Sequence, residues 1–194
     1  MNLGNLDFKI GSINPSGIGV NIYRIAKELI TSWPTIANDM SGTGAITTLA
    51  AYSGDFVLAD GAVWDKIYST QGKGNATYEP TGEVDCKMFL NKASLSYPKL
   101  TDEVKAFSKV AVNGDFVYVI KHDGKYVVIG SKYYMVTTNP SGATGAEAGS
   151  AKGVTIELEA PDVTPLPSYS GDLVLADGTL DCSTDTFTPT PDEP

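Results

Sequence analysis

Two runs of β-branched and aromatic residues, Phe116-Val-Tyr-Val-Ile120 and Lys125-Tyr-Val-Val-Ile129, flank the pair Asp123-Gly124. An Asp-Gly pair between such runs is the strongest short-range signal for a β-hairpin, because both turn residues need positive φ. Downstream, Val154, Ile156 and Leu158 alternate with Thr155, Glu157 and Glu159, which predicts a strand with one dry face and one wet face. Between these elements, residues 139–152 hold fourteen positions with almost nothing that packs a core. A loop of that length is expected to be functional or to order only against a partner.

The rest of the chain also reads as mostly β. Val20, Ile22, Tyr23 and Ile25 predict a strand over 17–27, after an arm at 1–16 with no firm periodicity. Gly17-Ile18-Gly19 is only a fragment of a nucleotide-binding fingerprint, since it lacks a third glycine and precedes a strand instead of opening a helix. Ser32-Trp33-Pro34-Thr35 breaks the chain, because proline removes a ladder donor and fixes φ. A polar, Gly-rich connection over 38–44 follows. Strands are expected over 46–58, 62–70, 75–90 and 93–97, with turns at 60–61, 71–74 and 80–82. One helix is well marked: Thr101 suits an N-cap, Asp102 and Glu103 suit the positive end of the dipole, and Val104, Phe107 and Val110 or Ala111 form a stripe.

A ten-residue cassette occurs twice. Tyr52-Ser-Gly-Asp-Phe-Val-Leu-Ala-Asp-Gly61 returns as Tyr169-Ser-Gly-Asp-Leu-Val-Leu-Ala-Asp-Gly178, differing only at Phe56/Leu173. Two copies do not make a solenoid. The expectation is that they occupy similar sheet edges, one within the subunit and one reaching a neighbour by strand addition. The chain then runs into an extended, proline-rich tail.

The net charge of −9 is unevenly placed: nine acids and no Lys, Arg or His follow Lys152, while residues 1–152 carry 14 acids and 14 bases. An acidic balance disfavours direct duplex binding, which draws on clustered Lys and Arg. A hydrophobic fraction of 42% and the absence of a long apolar run point to a soluble globular chain without a membrane span. The first ten residues lack the pattern of a secretion signal, so Cys86 and Cys182 are expected as reduced thiols.

Catalytic groups are sparse. His122, the single histidine, sits beside the hairpin turn, where a surface role is the simpler reading. Asp85-Cys86 and Asp181-Cys182 lack metal-ligand spacing. The cassettes lack the acidic alternation of a calcium loop. Nothing selects a carboxylate pair among 23 acids. No enzyme activity, catalytic residue, cofactor or metal is expected.

The segment Ser96-Tyr-Pro-Lys-Leu-Thr-Asp-Glu-Val-Lys-Ala-Phe-Ser-Lys-Val110, the hairpin, the Gly/Ala/Ser-rich 139–152 and the strand with its exit over 152–165 resemble the tail tube proteins of long-tailed bacteriophages. Gly19-Val-Asn-Ile-Tyr-Arg-Ile25 and Ser32-Trp-Pro-Thr35 resemble that family's first strand and its exit. The resemblance covers roughly 17–165. It implies a mainly β fold, a β-sandwich or partly closed barrel with one flanking helix and extended N- and C-terminal arms, so that 1–16 is an arm, 17–165 the tube-like domain and 166–194 an extension. It implies homo-hexameric rings that stack into a conduit for DNA ejection. Partners would be the tape measure, the tail terminator and the tail-end complex, with DNA only passing through. The location would be the virion tail, reached from the host cytoplasm, with no membrane binding. Asn139, Pro140, Gly142, Thr144, Glu147, Lys152, Tyr169 and Asp172 are then expected at subunit or ring interfaces, and Asp65, Lys66, Glu79, Glu83, Asp85 and Lys87 facing the lumen. Alternatives are a β-sandwich carbohydrate- or host-binding module, or another virion component such as a head decoration or tail-end protein.

Overall fold

A computed structural model describes residues 9–37, 46–147 and 149–191. In chain order the first strands are β1 (Asn21–Ala26), β2 (Ile30–Ser32), β3 (Val57–Leu58), β4 (Asp65–Tyr68), β5 (Asn75–Thr81) and β6 (Met88–Tyr97). Helix α1 (Asp102–Ala111) precedes β7 (Phe116–His122), β8 (Lys125–Ile129), β9 (Thr137–Ala143) and β10 (Gly153–Asp162). The chain ends with β11 (Ser168–Tyr169), β12 (Asp172–Leu175), β13 (Gly178–Asp181) and β14 (Thr186–Pro189).

The hairpin that dominates the sequence also lies at the centre of the molecule. Asp123 and Gly124 adopt φ of 47° and 71°, as a two-residue primed turn requires, and His122 pairs with Lys125 to close the β7–β8 ladder. These two strands sit inside a five-stranded antiparallel sheet of order β11-β8-β7-β1-β4. Both faces of that sheet are covered, so β7 shows no polar alternation. Tyr118 and Ile120 point into one core cluster, Val117 and Val119 into another, and all four are 0% exposed. Each buried aliphatic side chain of this kind stabilises the fold by roughly 1.5–3 kcal/mol.

The first covering layer is a four-stranded antiparallel sheet of order β5-β6-β10-β9. It contributes Ala93 and Leu95 from β6 and Val154, Ile156, Leu158 and Ala160 from β10 to the shared core. Helix α1 adds Val104 and borders β9. Its inward stripe is completed by Ala111, which is buried, whereas Val110 is 62% exposed.

The second covering layer comes from the two cassettes and the three-stranded meander β12-β13-β14. Tyr52, Phe56 and Trp64 from the first cassette region meet Tyr169, Leu173, Leu180 and Cys182 in one cluster against Val117, Val119 and Val128. The fold is thus mainly β and sandwich-like, with, among the described residues, a single α-helix and no closed barrel.

Several expectations need correcting. Residues 168–189 are a structural layer, not an appended arm, because the alternation of Tyr169, Leu173, Leu180 and Cys182 supplies an inward apolar face. The segment 46–58 is mostly irregular: Ile46–Ala50 is a 3-10 turn and only Val57–Leu58 is strand. Likewise 62–70 yields only the four residues of β4. Pro80 lies within β5 opposite Phe89, and the turn falls at 82–87 instead. The expected connection over 38–44, the first eight residues of the N-terminal arm and the last three of the tail lie outside the described residues.

Candidate assembly surfaces

The sheet β5-β6-β10-β9 has one face in the core and the other in water. Cross-strand register decides which residues share the outer face. Thr155 stands opposite Ser96 and Ser141, Glu157 opposite Ser94 and Asn139, and Glu159 opposite Lys92 and Thr137. On the far side of β6, Asn75 faces Ser94, Thr77 faces Lys92 and Glu79 faces Leu90. Apart from Met88, Leu90 and Pro161 at one end and Ala143 and Gly153 at the other, this face is built from hydroxyls, amides and charges.

Its charges are three carboxylates, Glu79, Glu157 and Glu159, against one ammonium, Lys92. Lys92 Nζ lies 2.6 Å from Glu79 Oε1 and 3.6 Å from Glu159 Oε1. The hydrogen bond to Glu79, ahead of the charges of both glutamates, raises the lysine above its ordinary pKa. Ser94 Oγ donates to Glu157 Oε1 at 2.9 Å. The face is therefore tied together by side-chain bonds and carries a net excess of two negative charges, three minus one.

Two outer strands frame this face. Among the described residues, β5 and β9 each lack a strand neighbour on one side, and so does β14 in the C-terminal meander. All three carry a proline: Pro80, Pro140 and Pro189. Proline on an outer strand withholds a donor and discourages unplanned edge-to-edge pairing.

The residues expected at subunit contacts divide into two groups. Asn139, Pro140 and Gly142 belong to β9, which pairs with β10, so the first part of the expected long loop is a strand. A run of Asn-Pro-Ser-Gly-Ala has poor β propensity, and its partner strand holds it in place. Thr144, Glu147 and Lys152 lie in the remaining exposed turn, where Glu147 N–H donates to Ser150 Oγ and Ser150 N–H to Glu147 O.

Tyr169 and Asp172 do something else. Tyr169 is 2% exposed; its ring lies 5.1 Å from that of Phe56, and its hydroxyl donates to Asp172 O at 2.9 Å. Asp172 N–H donates to Asp55 Oδ1 at 3.0 Å. Tyr52 N–H donates to Ser168 O, and Trp64 N–H to Val174 O, both at 2.8 Å. The two cassettes thus clasp each other within one chain, and the expectation that the second reaches a neighbour is replaced. Gly171 permits the close approach, since a Cβ there would lie 2.1 Å from Asp55 Oδ1.

The acids and lysines expected on one surface are split as well. Glu79 is on the polar sheet face, and Glu83, Asp85 and Lys87 cluster in the exposed turn between β5 and β6. Asp65 and Lys66 sit on β4 of the central sheet, where Asp65 pairs with Arg24 at 3.2 Å. Sequence reading missed Lys92, Glu157 and Glu159 as members of the face. The wet alternation of β10 was the available signal.

No known protein family, curated protein or solved structure matches this chain.

Exposed apolar residues add to the surface description. Ile10 and Ile13, in the described part of the N-terminal segment, are 93% and 92% exposed. Tyr133 and Val163 are also exposed, lining one pocket with Trp33 and Ile36, and Met135 is exposed as well. Among the described residues there is no cluster of three His, Cys, Asp or Glu side chains able to hold a metal. Cys86 and Cys182 are free thiols, and burial, followed by nearby carboxylates, pushes Cys182 up to about 12. His122 is exposed, with Nδ1 2.8 Å from Gly17 O.

Proposed function

We propose that this chain is a virion structural protein, the subunit of a phage tail tube, in which hexameric rings stack into the conduit for DNA ejection. The observation that carries the reading is the polar outer face of β5-β6-β10-β9, with its three carboxylates and one lysine. Turned inward in a ring, six copies of such a face give a wall that is hydrated and mildly acidic. A polyanion slides along it because like charge suppresses binding and no Lys or Arg cluster holds phosphates. The turns at 82–87 and 144–152 then project at the ends of the sheet, where stacked rings meet. Exposed Ile10 and Ile13 supply apolar surface that a neighbouring copy can cover. The tape measure, terminator and tail-end complex are the other partners this role requires.

Negative-stain microscopy of the purified protein across a concentration series, with and without tail-end components, tests the proposal. Six-fold rings or hollow tubes with a regular axial repeat are the expected result. A monomer that forms neither under any of these conditions refutes it.

A further inference from the structure

A cleft of ≈ 720 Å³ opens between the central sheet and the C-terminal meander. It lies across the central sheet from the polar face described above, so it stands independently of the tube reading. Its inner wall is aromatic: Tyr23, Trp64 and Tyr126 are 6%, 2% and 3% exposed. A buried tyrosine hydroxyl or indole N–H ordinarily finds a hydrogen-bond partner. Among the described residues, neither the Tyr23 hydroxyl nor the Trp64 Nε1–H has one, and neither atom is among those sealed from water. Two directional groups at the base of the cleft are left unspent.

The roof of the cleft is braced. Asp185, in the β13–β14 turn at φ 58°, accepts from the Tyr126 hydroxyl at 2.5 Å and pairs with the Lys121 ammonium. The lysine first, and the tyrosine after it, hold the Asp185 carboxyl below its ordinary pKa. Asp65 is likewise engaged by Arg24. Among the described residues, the polar lining side chains other than Tyr23 and Trp64 that have no hydrogen bond or ion pair are Asn21, Lys66 and Asp177. Phe187, 43% exposed, adds an aromatic ring to the same lining.

We propose that this cleft binds a neutral saccharide of one or two pyranose rings. One free cation and one free anion favour no net charge on the ligand. The unspent groups combine donors and acceptors, as a set of sugar hydroxyls demands, and the open ring of Phe187 suits the apolar C–H face of a pyranose. The volume falls within the range of about 300–1,000 Å³ usual for small-molecule sites. Trp64 Nε1–H and Asn21 donate to sugar oxygens, Asp177 accepts from a pair of hydroxyls, and Tyr23 does either.

Saturation-transfer NMR on the full-length protein with glucose, galactose, mannose, N-acetylglucosamine, maltose, cellobiose and lactose provides the test. At least one sugar should show transfer, and Tyr23→Phe and Asp177→Asn should each weaken its affinity by about tenfold while leaving the urea midpoint unchanged. The proposal is overturned if none of these sugars shows transfer, or if transfer persists undiminished in the Tyr23→Phe/Asp177→Asn double variant. Tighter binding of glucose 6-phosphate than of glucose also overturns it, since the site would then select an anion.

Discussion

Replacing Phe56 with alanine removes the side chain on which the two cassettes meet. Phe56 is 6% exposed, and its ring lies 5.2 Å from Trp33, 5.9 Å from Tyr52, 5.4 Å from Trp64 and 5.1 Å from Tyr169. Deleting a core phenylalanine costs about 3–5 kcal/mol. Favourable ring pairs add about 0.5–1.5 kcal/mol each beyond area burial, which places this site toward the upper end. The whole stability of a domain is about 5–15 kcal/mol, so the expected loss is a large share of it. Urea unfolding followed by tryptophan fluorescence is a direct assay, because the two tryptophans of the chain, Trp33 and Trp64, both flank Phe56. With a urea m-value of about 2 kcal/mol/M, the midpoint should fall by about 2 M at constant slope. Val57→Ala, at a side chain 53% exposed, is the control and should stay within about 0.5 kcal/mol. If Phe56→Ala costs less than about 1 kcal/mol, the clasp does not hold the C-terminal layer and the three-layer account is refuted. Truncation after Pro167 asks the same question more harshly. It uncovers Tyr23, Trp64 and Tyr126, and a truncated chain that still unfolded cooperatively at the full-length midpoint would contradict the account.

Three further predictions address charge, acid and edges. Glu157→Lys/Glu159→Lys should leave the urea midpoint nearly unchanged but confer salt-sensitive duplex binding in a gel-shift assay; no gain in binding at low salt counts against an acidic conduit face. Asp185 has a lowered pKa through Lys121 and Tyr126, so its contribution is present above the unfolded value of about 3.9 and is lost as pH falls through the lower folded one. Asp162 has a pKa raised by burial, against the pull of the Thr164 and Val163 N–H groups, and its Oδ2 has no partner among the described residues. Its protonation therefore favours the fold as pH falls through the raised value. Stability measured against pH should thus drop toward acid for wild type relative to Asp185→Asn and rise relative to Asp162→Asn; the opposite slopes would reject these assignments. Pro80→Thr and Pro140→Thr restore a strand donor on β5 and β9 and should increase irregular association in light scattering. Unchanged scattering would show that these prolines do not guard the edges.

Much of the local structure was legible because its causes are local. Asp123-Gly124 determined the central turn through its φ requirements, the alternation of 154–159 determined the dry and wet faces of β10, and the acidic first turn and apolar stripe marked α1, although Thr101 at its N-cap makes no side-chain capping bond. Other parts carried no such signal. The run Asn139-Pro-Ser-Gly-Ala143 reads as loop and is strand only because β10 offers it a ladder. Residues 46–58 read as strand, yet Ile46–Ala50 is a 3-10 turn, only Val57–Leu58 is strand, and Tyr52 and Phe56 join the aromatic cluster. The polar face was half visible, since β10 announced its wet side while Lys92, Asn139 and Glu79 joined it only through register. Pattern along one strand shows that a face exists; register across strands, which depends on residues far apart in the chain, decides who shares it. The cassettes make the same point most sharply. Sequence alone determined that the unit occurs twice, and only the tertiary structure decided that the copies clasp each other, because the buried contact of Phe56 with Tyr169 joins residues 113 positions apart and leaves no trace in local periodicity.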